Sequence, residues 1–595
     1  MTNIKLKYLF LVIGIATFSF LSSCSEKIEK PESFKIILVE TSDVHGAVFD
    51  YDFINDKKSS GSLSKVHTYV NELRKNNEVI LMDNGDILQG QPVVYYYNYE
   101  NTEDKHICSE VMNYMQYDVA TIGNHDIEAG HSVYDKLKLD FKFPWLAANA
   151  IDIETGEPYF EPYTIINKKG VKIAVLGLIT PGIPKWLPEE LWTGIKFEDM
   201  VVSAKEWVPL IMKNEKPDLL IGLFHSGYDY TYGNADYNTP ENENASKIVA
   251  EQVPGFDVIF VGHDHRTWNE KIKNLEGDEV LILGPTSSAR QVVTASIEMN
   301  LNHEGKYIKK INGSVIEMKD VKPDSLFNDH FKNEFNKVKQ FVSKQVGAFE
   351  ETVDGHEALY GPSVFIDLIQ QIQLEISGAE ISFAAPLSYH SVIEKGPVYV
   401  RDMFKLYRFE NFLYTIRLTG KEIDDYLEFS YAGWFNQMTG PDDHLLNFKK
   451  DDNGELIFSD RYNSFMLQSQ FYNFDAAAGI NYIVDLKKED NNKVSIISLS
   501  NGNGFYKDST YKVAINSYRG NGGGGHLSIG AALEKDEITN RRINSTEKDL
   551  RYYMMSWMEE QGSVNPEAFN NWKVIPEEWW QKGKVRDEKL LNSKK

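Results

Sequence analysis

Five short segments of the 595-residue chain place histidine, carboxylate or amide side chains directly after apolar runs. Asp43-Val-His45 follows residues 34–40, Gly85-Asp86 follows 79–82, and Gly123-Asn124-His125-Asp126 follows 119–122. His225 follows 219–224, and Gly262-His263-Asp264-His265 follows 258–261. Imidazole suits borderline transition metals, while carboxylate and amide oxygens suit harder cations. No thiolate belongs to the set, so it is not a structural cysteine–zinc site. The inventory is large enough for two divalent cations about 3.5–4 Å apart, bridged by a carboxylate. Such a pair lowers the pKa of water and neutralises phosphoryl oxygens during in-line attack. Any one of these histidines taken alone reads as a helix cap or a hydrogen-bonded core residue. The common location of all five motifs argues for a single site.

That location depends on the elements beneath. The apolar runs, together with 171–179 and 280–283, are mostly continuous rather than alternating, as expected of strands buried on both faces. Helical stretches such as 62–74 lie between them, and strand–helix alternation predicts a layered α/β domain. In open α/β sheets, sites form beyond the C-terminal ends of the strands, so five strand ends converge on one rim.

A chain of this length exceeds one hydrophobic core, so two large domains are expected. Residues 321–350 read as a linker with one helix, whose face carries Phe327, Phe331, Phe335, Val338, Phe341 and Val342. From 351 to 560 the pattern turns α+β, with a helix over 364–376 and strands over 380–384, 414–418 and 511–515. Residues 561–595 read as a tail that packs Trp572, Trp579 and Trp580 and frays after them.

The five motifs resemble, in order and spacing, those of the calcineurin-like metallophosphoesterases. The resemblance implies a four-layer α/β/β/α sandwich over 34–320. It implies that Asp43, His45, Asp86 and His265 hold one cation, and that Asp86, Asn124, His225 and His263 hold the other. The cations would come from manganese, zinc, cobalt, magnesium and iron. His125 matches the family's catalytic histidine, which stabilises the transition state or protonates the leaving alkoxide. The 5'-nucleotidase branch pairs that histidine with an aspartate three residues later; here the position is Glu128. Asp83 matches no family ligand and reads as a local hydrogen-bond acceptor.

In the second half, Phe409-Glu-Asn411-Phe412 and Ser517-Tyr518-Arg519 each adjoin an expected strand. Two aromatics of this kind can clamp a planar base, worth about 1–3 kcal/mol by stacking; each alone reads as core. Gly520-x-Gly522-x-x-Gly525 fits the dinucleotide fingerprint, but no βαβ unit follows it, so these glycines are read as letting the backbone turn tightly or approach a ligand. Segments from Ala384-Ala-Pro386 to Gly562-Ser-Val-Asn-Pro566 extend the resemblance to the 5'-nucleotidase superfamily. They resemble most the 2',3'-cyclic-nucleotide 2'-phosphodiesterase/3'-nucleotidase branch. By that match Phe409 and Tyr518 flank the base, with Asn411 beside it. The 5'-phosphate arginines of the 5'-nucleotidases are missing from Ala384-Ala-Pro-Leu-Ser388, and a further aspartate of theirs is Gly524 here.

Lys5 and Lys7, the apolar run 8–21 and Leu21-Ser-Ser-Cys24 form a secretory signal resembling a bacterial lipobox. Cys24 would then be the lipidated first residue, 25–33 a tether, and the protein a periplasmic or cell-surface lipoprotein of a Gram-negative-type bacterium. Lys5 and Lys7 are the only charges in 1–24, so cleavage takes the net charge from −24 to −26. Such a polyanion has no electrostatic pull toward polymeric nucleic acid, and its expected partners are nucleotide substrates. The membrane enters only through the lipid, and the oligomeric state stays open. The main reading is hydrolysis of 2',3'-cyclic nucleotides and 3'-nucleotides. A 5'-nucleotidase or UDP-sugar hydrolase is one alternative, and a non-catalytic nucleotide-binding lipoprotein is another.

Overall fold

The computed structural model describes residues 30–459 and 464–592. The leader 1–24, its Cys24 and tether residues 25–29 lie outside the described residues. Among the described residues, no helix is long and apolar enough to cross a membrane.

Two six-stranded sheets build the N-terminal half. The first runs Tyr307–Glu317, Gln291–Leu301, Ser33–Thr41, Glu78–Asp83, Val119–Thr121 and Trp145–Leu146. The second runs Trp268–Lys273, Glu279–Gly284, Val258–Val261, Leu219–His225, Val171–Ile179 and Tyr163–Lys168. Four adjacent strands of each sheet are parallel; antiparallel strands close one edge of the first sheet and both edges of the second. The sheets face each other through an apolar core that includes Ile36, Leu38, Ile80, Ile173, Ile221 and Phe260. Helices cover both outer faces: Leu63–Arg74 and Ile107–Met115 on the first sheet, Met200–Asn214 and Ser246–Gln252 on the second. This is the layered α/β half expected from the continuous apolar runs, and the four-layer α/β/β/α sandwich that the family resemblance implies; each central strand is covered on both sides, which requires such runs. The helix expected over 62–74 is Leu63–Arg74, with Ser62 as N-cap accepting from Lys65 N.

The segment expected to hold one helix holds two, Ser325–His330 and Lys332–Val342, broken at Phe331. Phe327, Phe331, Val338 and Val342 are buried against the first sheet's helical layer, so the apolar face packs as its spacing indicates. The end of that segment is not linker. Gln345–Phe349 is a strand paired with Gly396–Tyr399 and with Ser563–Val564.

The C-terminal half is α+β. Its five-stranded sheet runs Ala476–Ala478, Ile381–Ala384, Thr510–Asn516, Leu413–Thr419 and Arg542–Ser545, with helices Val364–Ser377 and Gly420–Trp434 packed into the same core. Among the described residues, the expected fraying after Trp580 does not occur. Trp572–Ile575 pairs with Ile480–Asp485, and the helix Glu577–Asn592 follows. Asp587 holds that helix down: buried, it accepts from Leu446 N at 2.8 Å and meets His444 Nδ1 at 2.5 Å. The charged sequence there is one face of a packed helix.

Candidate metal centre and substrate face

The five motifs meet. Ligand atoms of Asp43, His45, Asp86 and His265 lie within 4.8 Å of one another, and so do those of Asp86, His225 and His263. Asp86 is common to both groups. Asn124 joins the second group, with Oδ1 2.9 Å from His263 Nδ1 and 3.1 Å from His225 Nε2. Asp86 Oδ2 is buried without a hydrogen-bond partner and sits 3.2 Å from His225 Nε2. His45 Nε2 and His265 Nε2 face each other at 3.0 Å. An orphaned carboxylate oxygen and converging imidazole nitrogens are what a divalent cation satisfies, so the donor set fits the expected metal.

The backbone is bent to achieve this. Asp43, His45, Asp86, His263 and His265 have φ of 51°, 49°, 59°, 71° and 53°. The left-handed region costs a residue with a β-carbon roughly 1–2 kcal/mol, and such strain gathers at functional sites. Close packing also demands glycine. Gly85 has φ 85°, and a Cβ there would meet Gly123 N at 2.5 Å; one on Gly123 would meet Asp86 Oδ1 at 2.2 Å.

The ring nitrogens pointing away from the cluster are fixed. His45 Nδ1 donates to Gln89 O at 2.9 Å, His225 Nδ1 to Asn84 O at 2.5 Å, and His263 Nε2 to Glu243 Oε1 at 2.9 Å. Each bond fixes the ring so that its other nitrogen faces the cluster, the arrangement in which a metal-binding histidine is held. Burial opposes ionisation of Asp86, but His225 and His125 hold it well below the usual carboxylate range. Burial and His265 push His45 down to about 3, leaving it neutral. Burial works against the His225 imidazolium, yet Asp86 outweighs it and raises His225 to about 10.

His125 and Glu128 lie on the short helix Asn124–Glu128, three residues apart and so on one face. His125 Nδ1 is 2.5 Å from Glu128 Oε2, so the longer carboxylate does reach the histidine. His125 N donates to Asp86 Oδ1 at 2.8 Å. Burial lowers His125, but Asp86 and then Glu128 prevail and lift it to about 9. Asp83 is a local acceptor: it takes Thr41 Oγ1 at 2.6 Å and Gly85 N at 3.0 Å.

Several contributors have no role in the sequence reading. Asp126 accepts four backbone N–H groups, from Asp86 and Gly123 through Oδ2 and from Ile87 and Leu88 through Oδ1, all at 2.8–3.0 Å. It holds the ligand loop in shape, and its place in the Gly123–Asp126 motif is the available signal. Glu243 orients His263, and Trp186 stacks on the His263 ring at 5.6 Å with 24° between planes. Nothing in the spacing of Glu243 or Trp186 marks either.

On the C-terminal side, Leu413 pairs with Asn516, which brings the segments carrying Phe409 and Tyr518 to the same sheet end. Both rings are half-buried. Asn411 is buried and accepts from Tyr407 Oη at 3.1 Å. Arg519 is consumed internally. It pairs with Asp475 at 2.7 Å and donates to Tyr472 O at 2.5 Å and Gly523 O at 3.0 Å. Gly522, Gly524 and Gly525 all have positive φ and turn the chain tightly just before the short π-helical turn His526–Gly530. A Cβ on Gly524 would meet Arg519 Nη1 at 2.1 Å.

Residues 37–267 match the calcineurin-like phosphoesterase family, and residues 345–530 match the 5'-nucleotidase C-terminal domain. Over 91% of the chain, 27% of residues are identical to the trifunctional nucleotide phosphoesterase protein YfkN of Bacillus subtilis, of which the chain spans 39%. Over the same share, 25% are identical to a 2',3'-cyclic-nucleotide 2'-phosphodiesterase/3'-nucleotidase of Salmonella typhimurium, of which it spans 88%. The fold is similar to the 5'-nucleotidase precursor of Thermus thermophilus, with a TM-score of 0.60 and 19% identity over 91% of this chain and all of that one. Fold and site together define a metal-dependent phosphoester hydrolase of two domains. Within that class the chain belongs to the 5'-nucleotidase superfamily, with a calcineurin-like phosphoesterase domain followed by a 5'-nucleotidase C-terminal domain.

Proposed function

We propose that the chain hydrolyses 2',3'-cyclic nucleotides and 3'-nucleotides to nucleoside and phosphate. The observation that carries this reading is the sharing of Asp86 between two ligand groups, with His125 and Glu128 beside it. Asp43, His45, Asp86 and His265 would hold one divalent cation; Asp86, Asn124, His225 and His263 would hold a second. Cations there would supply water of lowered pKa and neutralise the phosphoryl oxygens. Water adds to phosphorus, the bond to the 2'-oxygen breaks, and His125 gives that oxygen its proton from Nε2, because Nδ1 is held by Glu128. The resulting 3'-nucleotide reacts again and releases phosphate from the 3'-oxygen. Phe409 and Tyr518 flank the base, and Asn411 supplies an amide at its edge.

Two features support the branch. Residues 384–388 contain no arginine to grip a 5'-phosphate. Arg519 fills the space that a side chain at position 524 would need. The alignment with the Salmonella relative across 88% of its length points the same way. Export as a lipoprotein anchored through Cys24 is proposed from the leader sequence alone.

The test is phosphate and nucleoside release by residues 25–595 with added Mn²⁺, Co²⁺, Mg²⁺ or Zn²⁺. Substrates are 2',3'-cyclic AMP, 3'-AMP, 5'-AMP and UDP-glucose, with Asp86→Asn and chelation as controls. Fast turnover of the first two, lost in both controls, is expected. Turnover mainly of 5'-AMP or UDP-glucose would overturn the branch and keep the metal site. No turnover of any substrate would favour a binding protein.

A further inference from the structure

Arg551 has no solvent exposure, although it lies at the start of a helix, Leu550–Gln561, beyond the residues that match the C-terminal domain family. A buried guanidinium needs partners, because its desolvation is otherwise uncompensated. Those it has belong to one segment. Nε donates to Tyr407 O at 3.1 Å, Nη2 donates to Arg408 O at 2.6 Å, and Nη1 stands 3.5 Å from Glu410 Oε1. The preceding residue adds Leu550 N to Asn411 O at 2.7 Å. The helix start therefore grips Tyr407, Arg408, Glu410 and Asn411 and leaves Phe409, the ring proposed to stack on the base, half-buried.

The same arginine sits where the two halves of the chain meet. Its guanidinium carbon lies 4.0 Å from the Phe404 ring centre and 5.0 Å from that of Tyr95, which belongs to the N-terminal half. Tyr95 Oη donates at 3.0 Å to Asp549, the N-cap of the Arg551 helix. Tyr95 and Tyr99 lie on a helical segment that passes from α-helical to π-helical turns at Tyr96, a departure that recurs at functional sites. Asn98 on this segment donates to Leu88 O at 2.7 Å and so ties it to the loop that carries Asp86. Tyr99 Oη stands 3.5 Å from Glu410 Oε2. Burial raises Glu410 to about 8, with Arg551 pulling it down.

We infer that Arg551 is a positioning residue for substrate selection: it clamps the 407–411 segment and sets the distance from the base-stacking ring to the Asp86 cluster. The inference rests on the nucleotide reading above. Lysine cannot replace the planar fork, because one ammonium does not reproduce paired, fixed N–H directions.

The test compares wild type, Arg551→Lys and Tyr95→Phe on 3'-AMP and on p-nitrophenyl phosphate, which has no base. With Arg551→Lys and 3'-AMP as substrate, KM should rise roughly tenfold with kcat changed far less, so that the ratio of the two kcat/KM values falls about tenfold. Tyr95→Phe loses one hydroxyl and should move the same ratio in the same direction, by about threefold. If Arg551→Lys does not fold, Tyr95→Phe decides, with Glu410→Gln beside it. An unchanged ratio in the folded variants, or an equal loss on both esters, overturns the inference. Failure of the wild type to hydrolyse any nucleotide would instead overturn the proposed function.

Discussion

The pairing of His125 with Glu128 makes a quantitative claim. The contact is 2.5 Å long and Glu128 is 6% exposed, so it is a charge-assisted hydrogen bond shielded from water. Such bonds are worth about 1.5–3 kcal/mol. If the bond matters only while the leaving oxygen takes its proton, all of that falls on the barrier. Glu128→Ala should then lower kcat on 3'-AMP roughly 10- to 150-fold, at about 1.36 kcal/mol per decade. KM should stay within about threefold, because the bond does not hold the ground-state substrate. Glu128→Gln keeps an oxygen in place but loses the charge, so roughly a 3- to 10-fold loss is expected. A p-nitrophenyl ester leaves as a stable anion that needs no proton, and should lose distinctly less in both variants. The assay is steady-state phosphate release on both substrates, with metal content per chain measured in parallel. A loss under threefold on 3'-AMP with Glu128→Ala refutes the orienting role. So does an equal loss on both esters at unchanged metal content.

Three further outcomes follow from single residues. Asp126→Asn turns an amide toward the N–H groups of Asp86 and Gly123; two unsatisfied buried donors at about 1–3 kcal/mol each should cost roughly 2–6 kcal/mol, read as a fall in Tm and in bound metal. An unchanged Tm would show that the ligand loop does not depend on this carboxylate. Gly524→Asp meets Arg519 Nη1 at 2.1 Å from a backbone of φ 72°, so it should destabilise by about 2–4 kcal/mol without creating 5'-AMP turnover. Gain of that activity would refute the account of position 524. Asp367 is buried and raised to about 6, despite accepting from Phe569 N at 2.9 Å. Its folded pKa exceeds the unfolded value of about 3.9, so it destabilises the fold increasingly as pH rises between the two and fully above 6. Asp367→Asn should therefore stabilise by up to about 3 kcal/mol at pH 8 and by little at pH 4; a Tm difference independent of pH would contradict this.

The sequence by itself determined the layered α/β half and the identity of the cluster. Strands buried on both faces leave continuous apolar runs, and a site at the ends of parallel strands leaves its side chains immediately after them. That is why Asp43, His45, Asp86, Asn124, His225, His263 and His265 are visible without coordinates. Positions that depend on contacts between distant segments leave no such trace. Glu243 meets His263 from 20 residues away, Trp186 stacks on the same ring from 77 away, and Arg551 reaches back more than 140 residues to Tyr407. The strand Gln345–Phe349 reads as linker because its partners, Gly396–Tyr399 and Ser563–Val564, lie far along the chain. The helix Glu577–Asn592 reads as fraying because its charged residues look solvated until Asp587 is seen buried against Leu446 and His444. Local pattern records which faces of an element are covered; only the tertiary structure decides which distant residue covers them, since that follows from chain topology and not from spacing.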